Sequence, residues 1–584
     1  MITRNDIKEY FDLEAEASKN KWEALMKLPV KERIHKCRAI QSVYLNRDYH
    51  KFSDDGLNLI KISVGVNLAD FKEGEYLLLH KDNSITGIPC TLFSFVKDDE
   101  IILAVFHKNW PIDFDTYYDE PLLLDRNQVD LREHVYRPFT AHLYGFNRSF
   151  WEKLIFNTKP SPTFENEEAN EEELDDTIMN FKLDLLSQQK EAVLKSMSAK
   201  DYYLIQGPPG TGKSFTLALI MLEEIGYFKH KVIVIGPNHL AINNALDQVL
   251  KTAPGFSPII YKVGQSNNAP TLKVSLNERE YGIENFTRLN SLHANNNKEP
   301  WLIGLTPHSL YTSRARDLEC DTLIIDEAGQ MSIPLALMGM VKAQKVILAG
   351  DHKQLPPIIS SDKVGKEMSQ SAFQLLVTKD NCTMLNVSFR MCEPICNFVS
   401  ELFYDGKIKP KKKGCGNQII CSDPLFDFRT PIVIHHIEDY GEQTSDKEAE
   451  FIATTISGFV KKGLPENEVA VLAPFRAQAA NVRRHIRKLP DMTEEQQTQI
   501  VADTIDKMQG QEREVIIFSL VSGNLDYMTE MAEFLYNPNK MNVAFSRAKS
   551  KLIIVGNIEQ VKKFSATDYP HLKRMMESKY VEYV

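Results

Sequence analysis

The 584-residue sequence predicts an α/β fold with more than one parallel-sheet unit, behind a front section of helices and short strands. Three observations point to it. A glycine-rich loop stands between a short apolar strand and an apolar helix at 202–222, and further strand-length apolar runs downstream open into polar loops. The length also exceeds what one hydrophobic core can serve, which suggests about three to five domains.

From the N-terminus, residues 5–46 carry apolar positions at helical spacing, including Tyr10, Phe11, Trp22, Leu25 and Leu28, and predict long amphipathic helices. From 57 the texture changes to short strands such as Leu57–Ile62, Tyr76–Leu79, Thr91–Val96 and Ile101–Phe106. Turn residues separate them, and the pattern predicts a small antiparallel barrel. Eight of the twelve residues from Glu165 to Asp176 are acidic, which predicts a solvated linker over 161–180. A first α/β unit is expected over 181–375, interrupted at 264–300 by an Asn-rich insertion, and a second over 376–584. The second unit has strands such as Val469–Leu472, Val515–Phe518 and Leu552–Val555 but no glycine-rich loop of its own. Lys407, Lys409, Lys411, Lys412 and Lys413 form a basic cluster early in it, either a solvated loop or a contact to a polyanion backbone.

Net charge is −10, so attraction to nucleic acid requires local basic surface rather than the molecule's overall field. The N-terminal Met1–Asp6 is charged early, and the apolar runs are far shorter than a bilayer span, so the expectation is a cytoplasmic protein with no membrane segment. Eight cysteines, none in a tight pair, read as reduced thiols. Cys392, Cys396, Cys415 and Cys421 fall in one region, but no histidine completes a metal set.

The loop Gly207-Pro208-Pro209-Gly210-Thr211-Gly212-Lys213-Ser214 carries the most specific chemistry. Its glycines let successive backbone N–H groups crowd a polyphosphate, the following helix start adds its positive dipole end, Lys213 reaches the terminal phosphates, and the Ser214 hydroxyl suits Mg²⁺. ATP and Mg²⁺ are the expected cofactors. A second strand delivers Asp326-Glu327 to the carboxyl edge of the same sheet, Asp326 as a Mg²⁺ ligand and Glu327 as the base for an attacking water. A third opens into Gly350–Pro357, where the neutral, bidentate carboxamide of Gln354 can sense the γ-phosphate or the water. Arg390 and Arg547, from the second unit, can cross a cleft to neutralise transition-state charge, which couples hydrolysis to domain closure.

This order of motifs resembles superfamily 1 helicases, in particular the B group that includes the nonsense-mediated-decay RNA helicase and the immunoglobulin-mu-binding helicase. The likeness runs motif by motif over about 185–557 and, in architecture only, over 1–160. It implies two RecA-like P-loop NTPase domains behind stalk helices at 1–56, a small barrel at 57–125 lying over a bound strand, and returning stalk helices at 126–160. It implies Gln189 as the adenine partner, with Leu186 where the family has Asn, and Phe389 stacking on adenine in place of Tyr. Glu512 is implied at the ribose or the Mg²⁺. Contacts to single-stranded nucleic acid are implied for Pro237, Asn238, Thr306, Pro474, Phe475, Gln478 and Thr504, and these motifs occur with DNA and RNA alike. The expected activity is ATP-dependent 5′→3′ translocation and unwinding. The alternative is a nucleic-acid-activated ATPase switch that clamps or remodels without processive unwinding.

Overall fold

The computed structural model describes residues 2–584 except 37, 53–56, 66–68, 70, 72, 82–85, 98, 106–116, 119, 129, 131, 133–150, 152–153, 156–160, 265–271, 277–278, 287–299, 313–314, 316–317, 413, 415–418, 509, 522 and 565–568. Most of the expected returning stalk, 126–160, lies outside the described residues.

Helix α1 (Arg4–Met26) starts at a capping box in which Thr3 and Asp6 satisfy each other's backbone amides, and it buries Ile7, Tyr10 and Phe11. That face joins Trp151, Leu154 and Ile155 in the core of the first α/β unit. After α2 (Val30–His35), six antiparallel strands close a barrel in the order β1-β2-β5-β4-β3-β6. They are β1 (Ala39–Phe52), β2 (Asn58–Val64), β3 (Tyr76–His80), β4 (Ile88–Lys97), β5 (Glu100–Val105) and β6 (Leu122–Arg126).

The barrel therefore begins at Ala39, not at 57. β1 hides its strand pattern behind a bulge. Its pairing with β6 slips between Ile40 and Val43, Ser42 has φ +56°, and the buried positions run Ile40, Val43, Leu45 instead of alternating. Beneath the barrel the Arg33 guanidinium, fully enclosed, pairs with Asp125 (Nε–Oδ1 2.9 Å), which also accepts from or pairs with His80 Nε2 at 2.8 Å. Trp22 Nε1 donates to the Arg126 carbonyl (2.9 Å). Further along α1, the Glu14 carboxylate accepts the amides of Ser360 and Ser361 at 2.7–2.9 Å, and Lys21 Nζ donates to the Ser360 carbonyl.

The acidic stretch is not a free linker. It forms helix α3 (Glu167–Phe181), which buries Asn170 and Leu174 against α4 (Ser187–Ser198). Its charge is met by that next helix: Lys190 pairs with Glu171 (3.0 Å) and Asp175 (2.8 Å), and Lys195 with Glu167 (3.0 Å).

The first lobe is an eight-stranded parallel sheet ordered β12-β9-β13-β8-β14-β15-β7-β16. Its strands are β7 (Tyr202–Gln206), β8 (Lys231–Ile235), β9 (Ile260–Val263), β12 (Glu284–Phe286), β13 (Trp301–Gly304), β14 (Cys320–Ile325), β15 (Ala343–Gly350) and β16 (Cys382–Met384). Runs such as Val232–Ile235, Leu323–Ile325 and Val346–Ala349 are buried on both faces, as a parallel sheet covered by helices requires. The edge strand β16 carries this lobe to 384, beyond the boundary expected at 375. Within 264–300, the described residues form a hairpin of β10 (Lys273–Leu276) and β11 (Arg279–Gly282), followed by β12 on the main sheet.

A two-stranded parallel link, β17 (Val387–Cys392) with β18 (Lys409–Lys412), stands between the lobes, so most of the lysine cluster is strand rather than loop. The second lobe is a six-stranded parallel sheet ordered β21-β20-β22-β23-β19-β24, from β19 (Ile432–His436), β20 (Val469–Ala473), β21 (Val501–Thr504), β22 (Arg513–Ser519), β23 (Ala548–Gly556) and β24 (Val581–Tyr583). Cys90, Cys320, Cys382, Cys396 and Cys421 are free, but Cys392 is disulfide-bonded, which departs from the expectation of eight reduced thiols. No helix among the described residues is long and apolar enough to cross a membrane.

Candidate functional site

Strands β14, β15 and β7 are neighbours, and each ends at the same edge of the first sheet. That adjacency collects Asp326-Glu327, Gln354 and the glycine-rich loop at one place, where parallel sheets bind ligands. Gly210 and Gly212 adopt φ +71° and +83°, conformations an L-residue enters only with strain, and helix α5 (Lys213–Gly226) begins directly behind them. Space is as restrictive as torsion. A Cβ at Gly210 would meet the Arg390 Cβ at 2.5 Å, and one at Gly212 would meet Gln189 Nε2 at 2.5 Å.

The Lys213 ammonium lies between the two acids, on Asp326 Oδ1 and on Glu327 Oε1 at 2.8 Å. Burial works to discharge Lys213, but the two carboxylates outweigh it and hold its pKa above the ordinary lysine value. Burial raises Asp326. For Glu327 burial acts the same way, yet Lys213 and Arg547 prevail and keep that carboxyl below its usual range, ionised and able to take a proton. Glu327 sits at φ +52° and its other oxygen accepts from Gln330 Nε2 (3.0 Å), so its direction is imposed by the backbone and held from behind.

The second lobe closes the site. A cavity of about 890 Å³ is lined from the first lobe by the loop 207–215, Gln189, Asp326, Glu327 and Gln354, and from the far side by Phe389, Arg390 and Arg547. Ser388 Oγ donates to the Pro209 carbonyl (3.0 Å) and the Phe389 amide to the Gly210 carbonyl (2.8 Å), which seats β17 against the loop. Arg390 pairs with Glu512 and donates to the Ser546 carbonyl (3.1 Å). Arg547 is 3% exposed, fixed by the carbonyls of Val543 (3.1 Å) and Gln511 (3.2 Å), and extends Nη2 to Gln354 Oε1 at 3.5 Å. Burial, with the charge of Arg390 beside it, pulls Arg547 below its ordinary pKa.

The remaining expected residues divide. Ser214 lines the cavity in the first turn of α5, and with Asp326 it offers the hard oxygen donors that Mg²⁺ takes. Phe389 lines it too, 38% exposed, with Lys411 Nζ 6.0 Å from its ring centroid. The Gln189 carboxamide is committed inside the protein, accepting the Leu186 amide (3.0 Å) and donating to the Thr211 carbonyl (3.4 Å), so it braces the loop as well as lining the cavity. Glu512 is spent on Arg390 and is not among the lining residues.

Pro237, Thr306, Pro474 and Thr504 stand at or just beyond the carboxyl ends of β8, β13, β20 and β21. Asn238 caps helix α6 (His239–Thr252) through the Ala241 amide (3.0 Å) and borders the nucleotide-sized cavity. Phe475 stacks on Phe534 with centroids 5.4 Å apart. Gln478, expected at the bound strand, is instead wholly buried, bonded to the Ser445 backbone and to Ser519 Oγ (3.1 Å), with no surface to offer a strand. A polar residue inside a motif-like segment gave no sign that its amide would be consumed by the core.

Sequence reasoning missed Glu73, Asp184, Asn244, Gln248, Asp506 and Lys507, all of which line the cavity. Asn244 and Gln248 share one face of α6, a spacing visible in the sequence; Glu73 comes from the barrel and has no local signature.

Two domain families match the two sheet-bearing regions in turn. Residues 184–300 and 301–362 match one AAA-domain family, and residues 368–559 match a second family also described as an AAA domain. The chain is 28% identical over 444 residues to the mouse (Mus musculus) DNA replication ATP-dependent helicase/nuclease DNA2, covering 68% of this chain and 39% of that protein. It thus spans about two fifths of that relative. It is 26% identical over 502 residues to the Schizosaccharomyces pombe DNA polymerase alpha-associated DNA helicase A, covering 75% and 73%. Among solved structures, an Arterivirus nonstructural protein 10 (helicase) aligns over 91% of this chain and 80% of that chain, with 11% identity and a TM-score of 0.37.

Proposed function

We propose that this chain is a superfamily 1 helicase, an ATP-driven motor on single-stranded nucleic acid that moves 5′→3′ and separates duplex; its matches to AAA-domain families and to ATP-dependent helicases support the reading. One observation carries the reading: Lys213, Glu327, Gln354, Arg390 and Arg547 line a single cavity although they come from both sides of the interlobe cleft. A site that is complete only when the lobes meet ties nucleotide hydrolysis to lobe movement.

In the proposed reaction the two α/β lobes act as RecA-like domains. The loop amides and Lys213 hold the triphosphate of ATP, and Phe389 offers its ring to the base. Glu327, already ionised, takes the proton of the attacking water, whose position Gln354 fixes. Arg390 and Arg547 face the charge that builds on the γ-phosphoryl oxygens, preorganised by carbonyls and by Glu512. Ser214 and Asp326 would hold Mg²⁺, which would supply charge neutralisation at the phosphates. The strand runs over the carboxyl edges of both sheets, past Pro237, Thr306, Pro474, Phe475 and Thr504.

Lys213→Ala and Glu327→Gln are expected to abolish strand-stimulated ATP hydrolysis with unchanged far-UV circular dichroism. Wild-type turnover in either variant refutes the reading. Displacement from duplexes with 5′ tails but not 3′ tails is the expected polarity; hydrolysis without displacement on either points to the clamp-like switch instead.

A further inference from the structure

Behind Gln354 lies a chain of buried hydrogen bonds that crosses between the lobes. Gln354 Nε2 donates to Asp351 Oδ2 at 2.9 Å. The same oxygen accepts the Tyr404 hydroxyl at 2.5 Å, and Tyr404 Oη accepts Asn542 Nδ2 at 2.7 Å. Asp351 Oδ1 accepts Gln206 Nε2 (3.1 Å) and the Lys353 amide (3.1 Å). Asp351, Tyr404 and Asn542 are all nearly inaccessible, at 4%, 2% and 0%. Tyr404 closes helix α7 (Glu393–Phe403) and Asn542 lies on α8 (Pro538–Phe545), both packed in the second lobe's core, whereas Asp351 and Gln354 follow β15 of the first. Asn542 Nδ2 also donates to the Lys353 carbonyl (2.7 Å), and Asn539 Nδ2 to the carbonyls of His352 (3.1 Å) and Gln354 (2.7 Å).

The direction of each bond follows from the groups. Carboxylate oxygens accept, so the Tyr404 hydroxyl proton points at Asp351 and its lone pair faces the Asn542 amide. For the same reason Asp351 must take the NH₂ end of Gln354, which leaves Oε1 facing the Arg547 guanidinium and the cavity. A carboxamide free to rotate presents either end; this one is set as an acceptor.

We propose that Tyr404 is a positioning residue for hydrolysis: from the second lobe it anchors Asp351, and through Asp351 it fixes the Gln354 carboxamide with its oxygen toward the attacking water. The inference rests on the proposed ATPase. It adds that lobe contact acts on the water-orienting group as well as supplying arginines.

The test is Tyr404→Phe, which keeps the ring and removes one hydroxyl. A charge-assisted buried hydrogen bond of this kind is worth on the order of a tenfold change in rate. The expected result is about tenfold lower strand-stimulated kcat with the KM for ATP changed less than about twofold, and no further loss when Tyr404→Phe is added to Gln354→Ala. Undiminished kcat, or an equal loss in the Gln354→Ala background, overturns the proposal. Hydrogen exchange over 351–354 without nucleotide is read in parallel: faster exchange in Tyr404→Phe is expected, and unchanged exchange overturns the anchor. Wild-type protein with no turnover but with that exchange difference rejects the ATPase and keeps the anchor. If Tyr404→Phe does not fold, Asn542→Ala, which removes the donor behind the hydroxyl, carries the same expectations.

Discussion

The two lobes contribute to one cavity by different means. The first brings Lys213, Asp326 and Glu327 together unaided, because three adjacent parallel strands end beside each other and the ammonium is shared by two carboxylates of its own sheet. The second has no phosphate-binding loop. Its arginines hang on backbone carbonyls, and among the described residues it reaches the first lobe's chemistry across the cleft, through β17 on the glycine loop, through Arg547 on Gln354, and through Tyr404, Asn539 and Asn542 on 351–354. On the proposed function, the grip on the triphosphate belongs to the first lobe, and the rate is conditional on the second.

Removing the second lobe's charge is the strongest way to separate grip from rate. Arg547→Ala is expected to lower strand-stimulated kcat by about a thousandfold, the low end for an arginine that stabilises phosphoryl transfer, while fluorescent-nucleotide binding changes little. A parallel collapse of binding would mean that the lobes share the grip as well.

A smaller intrusion tests the seam itself. Gly210→Ala places a methyl group against Arg390 and Ser388 at a backbone angle that disfavours it, so β17 must back away from the loop. About tenfold weaker nucleotide binding is expected, from a combined torsional and steric cost of one to two kcal/mol. Tight binding in this variant would show that the seam has slack.

The mildest contrast is in buried acids. In the first lobe Glu224 is enclosed, and although burial favours its neutral form, Lys345 (2.6 Å) and His230 (2.8 Å) overcome that and hold it at about 2. In the second, Glu448 meets neutral donors, Ser519 Oγ (2.6 Å) and the Val521 amide (3.2 Å), and burial pushes it to about 7. The signs are opposite. A depressed carboxyl stabilises above its unfolded pKa and loses that contribution as pH falls toward 2, whereas a raised one stabilises below about 4.5 and loses it as pH rises through 7. Glu448→Gln is therefore expected to raise the melting temperature by about 2–4 °C at pH 8 and by little at pH 5. Equal shifts at both pH values would remove titration as the cause.

The same division explains how much could be read from the sequence. Residues 207–214, 326–327 and 354 were legible because a strand, its loop and the following turn are contiguous, and the chemistry of the loop follows from residues in it. Tyr404, Asn539 and Asn542 were not, because their partners are distant in the chain: a carboxylate 53 positions from Tyr404, and for the two asparagines a hydroxyl 138 positions away and carbonyls 185 to 189 away. Gln478 misled for the converse reason: its place beside a surface motif concealed a core hydrogen-bonding role. The acidic helix α3 and the bulged β1 escaped because counter-charges on α4 and one extra residue at Ser42 erased the local signals of order.

The enclosed Arg33–Asp125–His80 knot bears on mechanics. Breaking a buried pair of this kind costs about 3–5 kcal/mol, so the barrel has no cheap way to swivel on α1 and α2. Barrel and helices form a stiff tiller, with Glu14 and Lys21 gripping residues 360 and 361 along its shaft. On the proposed function, load on the barrel would therefore be felt by the segment that follows Gln354.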